Sequence, residues 1–88
     1  MTNIEGRPLA IDDPATYRIE LQGVLGSSWQ DFVGHMQIQV RRAESGAVVT
    51  TLTGVVKDQA ALAGILNLVY DLGMPLLSVE YLGSTDDR

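Results

Sequence analysis

Between Gln59 and Tyr70 the chain reads QAALAGILNLVY, twelve residues without a charge. Its boundaries are those of a helix. Asp58 stands where an N-cap carboxylate accepts from the orphan N–H groups of a first turn. Leu72-Gly73-Met74-Pro75 follows with a glycine for the left-handed C′ position and a proline that cannot continue a helix. At ~100° per residue, Ala61, Leu62, Ile65, Leu66, Leu68, Val69 and Leu72 share one broad arc and are expected to pack on a sheet. The opposite arc holds Ala60, Ala63, Gly64, Asn67, Tyr70 and Asp71, with charge only at its end. A helix facing water usually shows charged residues there. Here small side chains surround a mid-helix glycine that costs ~1 kcal/mol against alanine. The arc is expected to be an interface of a homo-oligomer, most simply a two-fold dimer. Tyr70 would be its marginal anchor and Asn67 its hydrogen-bonding group.

The rest of the chain reads as strands. Tyr17, Ile19 and Leu21 alternate with Arg18, Glu20 and Gln22; Met36, Ile38 and Val40 alternate with Gln37, Gln39 and Arg41. Period two marks a half-buried strand. Glu44-Ser45-Gly46 makes a hairpin connection to a third strand, Ala47 to Val55, rich in β-branched residues. Its inner face is assigned to Thr50, Leu52 and Gly54. A fourth strand runs from Leu76 to Leu82, with Leu77, Val79 and Tyr81 on one face and Ser78 and Glu80 on the other.

The order βββαβ predicts an α+β domain, one helix packed on a four-stranded, mostly antiparallel sheet. A meander of the first three strands, with the fourth returning parallel to the first, gives the order 3-2-1-4. The domain spans 16–83. Residues 1–15 form a tail or extended lead-in with turn chemistry at Asp12-Asp13-Pro14, and 84–88 form a polar tail. Between Gly23 and Gly34, Gly26-Ser27-Ser28 caps a helical turn bearing Trp29 and Phe32. Both aromatics are expected to plug the end of a core that one helix cannot cover.

The segment TGVVKDQAALAGILNLVYDLGMPLLSVE resembles one that recurs in small, mostly uncharacterised bacterial proteins. Their motif is close to TG-x-V-x-DQAAL-x-G-x-L followed by DLG-x-PLLSVE. It is matched here by Thr53, Gly54, Val56, Asp58 to Leu62, Gly64, Leu66, Asp71 to Gly73 and Pro75 to Glu80. Upstream, Trp29, Phe32 and Gly34 fit a looser Trp, Phe and Gly pattern. The resemblance covers roughly the last two thirds of the chain and implies no activity, cofactor or catalytic residue. Every matched position also has a structural reading as strand, cap or helix face.

Composition narrows the function classes. A net charge of −5, from eleven acidic and six basic residues, argues against a phosphate-binding surface. Nucleic acid is not an expected partner. The chain has no cysteine, so there is no disulfide framework or thiolate metal site. The apolar region from Ala60 to Val79 is broken by Asn67, Asp71, Gly73 and Pro75, short of the ~20 residues of a membrane span. With neither a basic n-region nor an apolar h-region near residue 1, a signal peptide is not expected, and a cytoplasmic location is.

His35 is the single histidine and has no neighbouring Asp or Ser in sequence to orient it. It reads as a partly exposed edge residue. Ser27, Ser28 and Ser78 lack a nucleophile-elbow context, and no glycine pattern cradles a phosphate. Glu20 and Glu80 share the outer sheet face with Arg18 and Arg41, which favours cross-strand charge pairing over an acid/base pair. No metal, cofactor or catalytic residue is expected. The first reading is a non-enzymatic, self-associating interaction or scaffold module with Ala60, Ala63, Gly64, Asn67 and Tyr70 at its interface. Its rival is a small-molecule-binding or catalytic domain of the dimeric α+β type, with a pocket near Trp29, Phe32 and His35.

Overall fold

In the computed structural model, which describes residues 10–26, 29, 33 and 35–84, the elements run β1 (Ala15–Gln22), β2 (Gln37–Arg42), β3 (Val48–Val56), α1 (Gln59–Asp71) and β4 (Leu76–Ser84). The class is the expected one, α+β, with one helix and a four-stranded antiparallel sheet. The sheet order is β2-β3-β1-β4. β4 lies beside β1 and closes one edge, as expected.

Two pairings of the expected meander are corrected. β3, not β2, is hydrogen-bonded to β1, from Ala15↔Val56 to Gln22↔Val49. β4 runs antiparallel to β1, not parallel to it. The cause is the segment from Gly23 to Met36, which carries Trp29 and Val33 into the core. A connection that long and apolar is a crossover, and crossovers return the chain in its original direction. β2 therefore runs parallel to β1 with one strand position between them. The hairpin at Glu44–Gly46 folds β3 back into that gap, pairing it with β2 from Gln37↔Thr53 to Arg42↔Val48. Helix α1 is the second crossover and returns β4 in the direction of β3, hence against β1. The result is a split β-α-β arrangement.

The core lies on one face of the sheet, where Ile19, Leu21 and Leu52 are fully buried. Trp29 and Val33 from the first crossover, and Ile65 and Val69 from the helix, pack against them. The inner-face assignment for β3 holds at its centre, with Thr50 fully buried. The Thr50 hydroxyl donates to the Gly23 carbonyl at 2.6 Å, so its burial leaves no unpaired polar atom. At Gly54 a Cβ would come within 3.1 Å of Met36. That glycine lets the start of β2 approach β3.

Both helix caps form as the sequence indicates. Asp58 Oδ1 accepts from the Ala61 N–H at 2.8 Å. At the other end, Gly73 adopts φ 74°. Its N–H donates to Tyr70 O at 2.9 Å, and the Met74 N–H donates to Val69 O at 3.2 Å. That pair of bonds is the Schellman closure. Leu72, expected on the buried arc, is instead half exposed, because it sits at the C-cap beyond the last turn over the sheet. The lead-in is pinned where it is described: Ile11 O accepts from the Gln59 N–H at 2.8 Å.

Candidate functional site

The outer sheet face is a polar lattice. Arg18 on β1 donates to Glu80 on β4 at 2.7 Å, and Arg41 on β2 lies 3.5 Å from Glu20 on β1. The Thr51 hydroxyl of the intervening β3 donates to the same Glu20 carboxylate at 3.3 Å. This is the charge pairing expected for that face, and it leaves no isolated carboxylate pair for acid/base work. Among the described residues no cluster of His, Cys, Asp or Glu could hold a metal ion. No helix among them is long and apolar enough to cross a membrane.

Of the residues of the expected pocket, Trp29 and His35 have different surroundings. Trp29 is 4% exposed and belongs to the core, where an aromatic was expected to close it. His35 lies outside that core, exposed, with Nε2 donating to the Val55 carbonyl at 3.0 Å. Phe32 lies outside the described residues.

A cleft does open beside His35, bounded by different partners. Its volume is about 400 Å³, and its walls are Val55 and Val56 from the end of β3 and Ala61, Gly64 and Ile65 from α1. His35 and Lys57, both exposed, complete its lining. Two of these gave a sequence signal: His35, named for the rival pocket, and Gly64, a costly mid-helix glycine. The others are ordinary strand and helix residues until the fold assembles them.

All five residues of the expected interface arc, Ala60, Ala63, Gly64, Asn67 and Tyr70, are exposed. Tyr70 is 81% exposed, with its ring in the open. On a 100° wheel the arc divides. Gly64 turns toward the cleft flank, which abuts β3 and the lead into β2. Tyr70 turns with Leu66 toward the opposite flank.

β4 itself is the larger apolar surface, and the sequence reading assigned it no role. It has β1 on one side and no described strand on the other. Leu76, Leu77, Val79 and Leu82 are each between 40% and 48% exposed. Leu77 and Leu82 are the two residues that the register skips opposite β1, so both are released from regular pairing. The signal was legible as an LLxV run on a strand expected at a sheet edge.

Neither the curated proteins nor the solved structures yield a match to this chain. A family defined as a domain of unknown function (DUF8691) matches residues 16–80, about three quarters of the chain and all of the helix. The chain belongs to that family.

Proposed function

We propose that the chain is a non-enzymatic association module that works as a homodimer joined along β4. The observation that carries this reading is the composition of that edge. Nine residues of strand present four half-exposed aliphatic side chains beside an open row of backbone donors and acceptors. An edge of that kind is a template for another strand, and monomeric proteins usually blunt it with charge or cover it. Glu80 is the one charge on β4, and Arg18 already neutralises it.

A second copy fits the edge by symmetry. Antiparallel β4–β4′ pairing about a two-fold axis perpendicular to the sheet makes one continuous sheet and keeps both helices on the same side. An axis through Val79 sets Glu80 opposite the partner copy's Ser78, avoiding the like-charge contact that an axis through Glu80 would create. Tyr70 and Leu66 lie on the helix flank opposite the cleft, which this reading assigns to the dimer side. An exposed tyrosine there is the side chain type that anchors interfaces, with Ala63 and Asn67 allowing close approach above it. Bacterial, cytoplasmic occurrence belongs to the same reading.

Sedimentation velocity over a concentration series tests it. The wild-type protein is expected to sediment as a dimer, and Tyr70→Glu to weaken association at least tenfold without loss of helix signal. Tyr70→Glu that associates like the wild type would remove the helix flank from the interface. A chain that stays monomeric at the highest concentration would end the proposal.

A further inference from the structure

The cleft between α1, the end of β3 and His35 lies on the helix flank away from β4, and dimerisation through that edge leaves it open. We infer that it is a binding site for a small monocarboxylate with an apolar body, held by its carboxylate at Lys57. Three independent features converge on it.

The first is Gly64. A Cβ built at this position meets nothing within 4 Å, and the backbone there is ordinary helix. Alanine would fit and would stabilise the helix by ~1 kcal/mol. The other glycines in regular positions have visible reasons, such as Met36 against Gly54 or the positive φ of Gly73. Gly64 has no such reason within the chain. What its missing side chain leaves is depth in the cleft wall, beside Ala61 and Ile65.

The second is the charge in the lining. Arg18 and Arg41 are paired with carboxylates, and Arg42 donates to the Gly46 carbonyl. Lys57 is the described cationic side chain without an ion pair or hydrogen bond, although the chain carries a net charge of −5. With His35 it lines a cleft whose other walls are aliphatic or small residues. One ammonium suits one carboxylate. A phosphate or polyphosphate group would call for a fork of donors or a second permanent cation; the other polar side chain of the lining is His35, whose Nε2 is already engaged by Val55 O.

The third is the fixed ring of His35. Because Val55 O can only accept, the 3.0 Å bond puts the hydrogen on Nε2 and holds the imidazole as part of the lining. The volume, about 400 Å³, falls in the range of pockets that enclose small ligands, roughly 300–1,000 Å³. Apolar walls with one or two polar groups at the mouth are the usual composition of such pockets. The carboxylate at Lys57 fixes the orientation of the ligand, and burial of its chain or ring against Val56 and Ile65 provides the affinity.

The test is a titration of the full chain followed by ¹⁵N NMR shifts and calorimetry. The probes are 4-phenylbutyrate, octanoate and the uncharged 4-phenylbutanol. The expected result is saturable binding of at least one acid, with the largest shifts at Val55–Lys57 and Ala61–Ile65. Lys57→Gln should weaken the acids about tenfold and leave the alcohol within about twofold, since only the acid carries the charge. Gly64→Leu should fill the cleft and abolish binding of all three, while circular dichroism reports an intact helix. Leu77→Lys with Leu82→Lys, designed to break the β4 dimer, should bind the acids as the wild type does, so failure of the dimer and failure of the site are separable. Absence of binding by both acids, shifts centred elsewhere, or equal weakening of acid and alcohol by Lys57→Gln would each overturn the inference.

Discussion

The two edges of this sheet meet water in opposite ways. β2 reads QIQVRR, with every residue exposed and two arginines ending the strand. One of them reaches across β3 toward Glu20, and the other closes on the hairpin carbonyl of Gly46. β4 reads LLSVEYLGS, longer and mostly apolar, with its one charge spent on Arg18. β2 follows the common design for an edge that must stay single: polar side chains and cations that resist a further strand. β4 lacks those devices apart from its two bulges. The difference teaches that exposure alone does not identify an interaction surface, because both strands are exposed. Composition at equal exposure does.

Each edge hangs on its own crossover, and perturbing the crossovers sharpens the comparison. The largest effect is expected from Trp29→Ala, which empties the crossover that delivers β2. Burial at 4% exposure makes the cost about 3–5 kcal/mol, measurable by urea unfolding. A cost below ~1 kcal/mol would mean that β2 is held by its hairpin alone. Next is Asp58→Ala, which uncaps the crossover that delivers β4. Loss of the 2.8 Å bond to the Ala61 N–H should destabilise by about 1 kcal/mol. Hydrogen exchange should quicken first in α1 and β4, whereas Trp29→Ala should loosen the β2 side.

Smaller changes probe the space between the crossovers and the edge itself. Gly64→Ala meets no atom within 4 Å and should raise stability by up to ~1 kcal/mol, a gain of roughly 4–8 °C in Tm. A fall in Tm would show a contact at Gly64 that the isolated chain does not make. The smallest effect belongs to Glu80→Gln. Both partners of the Arg18 pair are about half exposed, at 42% and 56%. Solvent screening should therefore hold the loss within roughly 0.2–1 kcal/mol, shrinking further at high salt.

Much of this molecule was legible in residue order. Asp58 and Gly73 marked the helix ends by their chemistry, period two marked the strands, and Trp29 read as a buried plug, although Ile38 and Val40, expected on the inner face of β2, are exposed. The pairing of Glu20 and Glu80 with arginines followed from their shared sheet face. Which strand neighbours β1 was harder, because alternation gives a strand its faces and says nothing of its partner. The deciding feature was the Gly23–Met36 connection, long enough to cross the sheet yet read as an interruption between adjacent strands. The cleft was illegible for a related reason. His35, Val55–Lys57 and Ala61–Ile65 meet only after both crossovers have packed, and only Gly64 breaks a local rule.

The asymmetry between the edges is tested most directly by light scattering on three proteins at high micromolar concentration. The wild-type chain, of 9.5 kDa, should have about twice that mass. Leu77→Lys with Leu82→Lys places charge on β4 and should return it to the monomer mass. Ile38→Lys with Val40→Lys places the same charge on β2, where both side chains are already exposed, and should leave the dimer intact. A wild-type mass of one chain, or a dimer lost through the β2 substitutions and kept through those on β4, would contradict the account.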